Sequence, residues 1–157
     1  MIILGFQGTG KTTYVKTHSQ AADLDFKGFD TKAPGWEKAY VDALLEAQKD
    51  HFYVFGNIAE PVMQELDDRG VMFVAFAPLH GDALTREDED IKALCLGRYV
   101  LRKEQNDRNV KWLEKIKRHY DEWTNWKFFD YPNCTPVAMD MKTNTIETLI
   151  AGLESSC

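Results

Sequence analysis

The sequence predicts a three-layer α/β domain whose sheet is mostly parallel and about five strands wide. Three observations predict it. Short apolar runs alternate along the chain with stretches of helical spacing, in the order strand, helix, strand, helix. A glycine-rich stretch, "GFQGTGKTT", joins the first apolar run to the first helical one, where a strand-to-helix turn belongs. No linker, internal repeat or low-complexity tract divides the 157 residues, a length that suits a single domain with one substantial core.

The elements follow in order. "MIILGF" reads as a buried first strand and "KTTYVKTHSQA" as the helix after its turn. "ADLDF" is short, a second strand at the sheet edge. "GWEKAYVDALLEAQKD" places Trp36, Tyr40, Ala43, Leu44 and Ala47 at helical spacing behind the Pro34–Gly35 break. "HFYVFGN" is a third strand, "EPVMQELDDRG" a helix with Pro61 near its start and Gly70 past its end, and "VMFVAFAPL" a fourth strand. From Thr85 onward the chain becomes highly charged and helical, opening on the capping sequence "TRED" and interrupted at "QNDRN". In the second of these helices Val110, Leu113, Ile116 and Lys117, followed by Tyr120 and Trp123, form a core-facing stripe. Beyond Pro132 and Pro136, "PVAMDM" reads as the last strand and "NTIETLIAGLE" as a closing helix.

Composition excludes several classes of function. A net charge of −6 argues against a surface coated in positive potential for nucleic acid, leaving room only for a local basic strip such as "KIKRHY" or "LRKEQNDR". No apolar run nears the roughly 20 residues of a membrane span, and the short apolar start lacks the basic flank of a signal peptide, so a cytoplasmic protein without membrane contact is expected. Cys95, Cys134 and Cys157 show no CxxC spacing and read as free thiols. His18, His51, His80 and His119 lie far apart without a metal-binding spacing, and no catalytic role is expected of them.

The opening stretch carries the chemistry. Gly5, Gly10, Lys11 and Thr12 fit G-x-x-x-x-G-K-[ST], the phosphate-binding P-loop, whose span also takes in Gly8, Thr9 and Thr13. Glycines let backbone N–H groups turn inward around an anion, and the following helix start adds its positive end. Lys11 is expected to reach the β- and γ-phosphates of ATP, and the Thr12 hydroxyl to bind Mg²⁺.

Two further groups bear on the reaction. Neither "HFYVFGN" nor "VMFVAFAPL" ends in the aspartate that holds Mg²⁺ in many P-loop ATPases. Instead Asp23 and Asp25 stand twelve and fourteen residues after Lys11, and strand alternation would put both on one face. One could position Mg²⁺, with Asp23 the candidate, while the other orients or deprotonates the acceptor; the plainer reading is two solvent-facing acids on an edge strand. Arg98 and Arg102 share a helix face and suit a lid over the γ-phosphate, unless they simply pair with neighbouring acids. The lid with its flanking helix would occupy about residues 85–109 of the single 1–157 domain.

The runs "GFQGTGKTTYVK", "AADLDFKGF", "EPVMQELDDRGVMFVAFAP" and "RYVLRKEQNDRNVKWLEKIKRHYDEW" together resemble the small P-loop kinases encoded by many bacteriophages, described as nucleotide or adenylate-kinase-like proteins. The resemblance covers nearly the whole chain. It implies a nucleoside monophosphate kinase-like fold, ATP with Mg²⁺, a small nucleotide acceptor, a location in the host cytoplasm, and lid roles for Arg98 and Arg102. The chain departs from the pattern at Phe26 and Lys27, where small hydroxyl residues are common, and lacks the glycine usual soon after the second arginine. The expected reaction is transfer of the ATP γ-phosphate to a (deoxy)nucleoside monophosphate. The alternatives are a kinase of a hydroxyl on a modified base in phage DNA and a nucleotide-binding module without catalysis.

Overall fold

The computed structural model describes residues 1–6, 10–77, 110–138 and 146–155. Five strands form one sheet: β1 (Ile2–Gly5), β2 (Ala21–Leu24), β3 (Tyr53–Asn57), β4 (Phe73–Ala77) and β5 (Cys134–Ala138). Their order is β2-β3-β1-β4-β5, and every pairing is parallel. The central strands β1 and β4 are buried along their whole length, as are the first four residues of β3, which is why these segments read as unbroken apolar runs.

The helices are α1 (Lys11–Thr17), α2 (Trp36–Gln48), α3 (Glu60–Asp68), α4 (Val110–Thr124) and α5 (Ile146–Ser155), with a 3₁₀ turn at Phe128–Asp130. The step from β1 to β2 runs toward one edge of the sheet, whereas those from β2 to β3 and β3 to β4 run back. Right-handed crossovers therefore place α1 on one face and α2 with α3 on the other. The packing agrees, since α2 lies on α3 and α1 meets α5. Tyr53 of β3 donates its hydroxyl proton to Glu154, tying α5 to the sheet.

Three details differ from the expected boundaries. Helix α1 stops at Thr17, because His18 turns to extended backbone and lays its ring on Tyr14 with centroids 3.7 Å apart. Strand β5 starts before Pro136 and runs through it; an edge strand hydrogen-bonds on one side only, so an N–H can be missing there. In α4 the stripe holds at Ile116, Tyr120 and Trp123, all buried, but Lys117 is exposed; the side chains of Val110 and Leu113 lie outside the described residues. So does the whole of 85–109.

One glycine marks a close approach. A Cβ on Gly56 would stand 2.9 Å from the Tyr40 hydroxyl and 3.0 Å from Leu4, so α2 reaches the sheet here only because β3 carries no side chain. Among the described residues, no helix is long and apolar enough to cross a membrane.

Candidate active site

In a parallel sheet, ligands bind beyond the carboxyl ends of the strands, where the connections diverge to opposite sides. Here that point is the end of β1, whose connection crosses to β2 at one edge while that of its neighbour β3 runs the other way to β4. A cavity of about 770 Å³ opens there. Its floor is Phe6, Gly10, Lys11 and Thr12, the described ends of the glycine-rich loop.

Gly10 begins α1 at φ 98°, a left-handed conformation that glycine adopts without strain, and brings no side chain to cap the first turn. Lys11 is only 5% exposed. Its ammonium donates to the carbonyl of Gly5 at 2.9 Å and to that of Phe6 at 2.8 Å, so the charge is held against the loop's own backbone. The Thr12 hydroxyl donates to Asp23 Oδ2 at 2.6 Å. The second oxygen of that carboxylate, Oδ1, is buried and has no hydrogen-bond partner among the described residues. A buried carboxylate oxygen without a donor is costly unless a cation answers it.

Both expected aspartates line the cavity, though not by strand alternation. Strand β2 ends at Leu24, and Asp25 lies just past it, where its Oδ1 accepts the Lys27 N–H at 2.9 Å in an Asx turn. Tyr40 fixes the neighbouring backbone: its hydroxyl donates to Leu24 O at 2.5 Å and accepts the Asn57 N–H at 2.9 Å, joining the ends of β2 and β3. Burial is the main reason the Tyr40 phenol is pushed far above its ordinary pKa, and Asp23 and Asp25 push it further against the opposing Asn57 bond.

Of the other expected residues, Gly5 ends β1 and Thr13 is exposed in the first turn of α1. Gly8, Thr9, Arg98 and Arg102 lie outside the described residues. The structure adds two walls that sequence reasoning missed. One is aromatic, with Phe26, Phe29 and Trp36 gathered near Tyr40; Phe26 stands 5.0 Å from Trp36 and 4.8 Å from Tyr40, ring to ring. This gives Phe26, a departure from the resembled pattern, a packing role. The other wall is α4, which presents Lys115, His119 and Glu122, with Trp126 two residues past its end. The helical spacing of Lys115, His119 and Glu122 was the available signal, each one residue ahead of the buried Ile116, Tyr120 and Trp123.

Burial lowers the pKa of His119; Glu122 raises it, and Lys115 and Arg118 lower it. No group of three or more His, Cys, Asp or Glu side chains gathers as a protein-only metal cage among the described residues. Mg²⁺ needs none, since it binds through one or two carboxylates with substrate phosphates and water. The Thr12–Asp23 pair, with its orphaned oxygen, fits that requirement. A scan of the chain against protein-family models finds no match, and neither does a search of curated proteins.

Proposed function

We propose that this chain is an ATP-dependent phosphotransferase of the P-loop kinase type whose acceptor is a nucleotide, a (deoxy)nucleoside monophosphate. The observation that carries the reading is the hydrogen-bonded Thr12–Asp23 pair beside Lys11, with Asp23 Oδ1 buried and unanswered among the described residues. A bound Mg²⁺ would be held by Thr12 and Asp23 and would neutralise phosphate charge. Lys11 exchanges its two carbonyl partners for phosphate oxygens. The acceptor oxygen forms the new bond to the γ-phosphorus as the bond to the bridging oxygen breaks and ADP leaves with its electron pair. A monophosphate acceptor is already ionised, so positioning and charge neutralisation suffice.

A second reading, phosphorylation of a hydroxyl such as that of a hydroxymethylated base in DNA, draws on Asp25. Its carboxylate lines the cavity and is held by Lys27 N–H, as a base for a hydroxyl proton would be. One experiment separates the two. The protein is given γ-labelled ATP and Mg²⁺ with the deoxynucleoside monophosphates, and in parallel with duplex DNA carrying or lacking hydroxymethylated pyrimidines. Label in a nucleoside diphosphate supports the first reading, and label in DNA the second. Label in neither, with ATP bound, overturns both in favour of a non-catalytic nucleotide-binding module.

A further inference from the structure

Helix α4 carries two parallel rows of side chains. Ile116, Tyr120 and Trp123 are buried, and the Trp123 ring stacks on Phe6 with centroids 4.6 Å apart. Phe6 directly follows β1, so this stack anchors α4 over the end of the strand that leads into the loop. The adjacent row, Lys115, His119 and Glu122, is thereby turned toward the cavity whose floor holds Lys11 and Thr12.

The row is electrostatically odd. His119 is half-buried beside Lys115, and both burial and the neighbouring cations Lys115 and Arg118 disfavour its protonation, with Glu122 opposing them. The cavity also presents Lys11 from α1, Asp23 from β2, Asp25 and Lys27 from the segment after β2, and Glu60 from α3. Lys11 is engaged with the loop carbonyls, and Asp23 with Thr12. On α4, Lys115 and His119 stand four residues apart on one face and both line the cavity, so an ammonium is paired with an imidazole that can become a second cation when an anion arrives. Just past the end of α4, Trp126 also lines the cavity with a partly exposed ring suited to lie against a base.

We propose that Lys115 and His119 form a second anion site, distinct from the phosphate loop, which takes the phosphate monoester of the acceptor, and that His119 gains a proton as this anion binds. The proposal rests on the kinase reading, which brings a second phosphate into the cavity, and it selects a nucleoside monophosphate over a base hydroxyl. Anion binding then weakens as pH rises, because the proton must be supplied from solution.

The test is an NMR titration of the imidazole C–H signals of the full chain, with His119→Gln used to identify the His119 resonance. The probes are the four deoxynucleoside monophosphates and the matching nucleosides, without ATP. The expected result is a His119 midpoint raised by about one pH unit or more by at least one monophosphate and unmoved by its nucleoside, equivalent to about tenfold tighter binding to the protonated form. Lys115→Gln, at an exposed position, should raise the midpoint of the ligand-free protein by removing a like charge. It should also weaken monophosphate binding about tenfold at about pH 6 while leaving Mg–ATP affinity within about twofold.

A monophosphate that binds without moving His119 overturns the proposal. So does a nucleoside that moves it equally, or the failure of every monophosphate to bind while Mg–ATP does. If Mg–ATP fails to bind but a monophosphate still shifts His119, the anion site stands and the kinase reading falls.

Discussion

Thr12 gives its hydroxyl proton to Asp23 across 2.6 Å, joining the first turn of α1 to an edge strand of the sheet. The bond aims one carboxylate oxygen at Thr12 and leaves the other buried without a donor among the described residues. Asp23→Asn keeps an acceptor for Thr12 and removes the unanswered charge. Its stability to denaturant should hold or rise by up to about 1 kcal/mol, since a carboxylate oxygen buried without a donor among the described residues is a liability that a functional site tolerates. The Mg²⁺ concentration giving half-maximal phosphoryl transfer should rise at least about tenfold. An Asn variant with unchanged Mg²⁺ dependence would remove Asp23 from the metal site.

Lys11 holds the Gly5 and Phe6 carbonyls with a nearly buried ammonium. Lys11→Ala strips both acceptors of that donor, and a loss of about 1–3 kcal/mol in unfolding free energy is expected. Phosphoryl transfer should fall by about 10²–10³-fold or more, the usual scale for losing one preorganised donor to a developing negative charge. Nucleotide titration followed by tryptophan fluorescence, run beside thermal melts, separates the two effects. Unaltered Mg–ATP affinity in a folded Ala variant would contradict the role of the loop.

Tyr40→Phe takes away the hydroxyl that bridges Leu24 O and Asn57 N–H. Two part-buried backbone groups at the rim of the cavity then lack this partner, at a cost of about 1–3 kcal/mol. The ends of β2 and β3 lose their cross-tie, so activity should drop further than the melting temperature alone explains. A Phe variant with wild-type stability and kinetics would show the tie to be idle.

Alkaline stability has a specific source. Burial, with Asp67 adding to it, pushes the Cys134 thiol up from 9.0 to about 12. Burial, then Glu60 and Asp130, raises the Tyr131 phenol from 10.0 to about 12. Both groups stay protonated in the folded protein over a range where the unfolded chain has released its protons. Stability is therefore intact below about pH 9 and falls as pH rises from there toward about pH 12. Cys134→Ser removes one titrating group and should flatten the decline, as read from denaturant unfolding at about pH 8 and about pH 10. An identical decline in the Ser variant would place the sensitivity elsewhere.

The sheet could be read from the sequence because its strands are central or short. "IILG" and "FVAFA" are buried on both faces and leave no polar alternation to confuse them. Thr12 and Asp23 were legible too, the one from a motif and the other from its distance after Lys11. Asp25 lies beside Asp23 along the cavity, but not by the strand alternation expected of it: the strand stops at Leu24, and an Asx turn to Lys27, which alternation does not anticipate, carries the carboxylate onward. Pro136 suggested that the last strand starts later than it does, since a single sequence does not mark β5 as an edge. The α4 wall was missed because Lys115 and His119 resemble any solvated helix shoulder until Phe6, far away in the chain, seats Trp123 and turns that shoulder inward.

The two rows of α4 also bear on how such a chain can change over generations. Residues 116, 120 and 123 are buried and hold the helix down, 116 also touching the cavity, whereas residues 115, 119 and 122 line the cavity without being buried. Drift in the second row can retune the preferred partner molecule without disturbing the first, because neighbouring positions on a helix point about 100° apart. Inheritance of the scaffold and diversification of its guest are thus written in alternate letters of the same short segment.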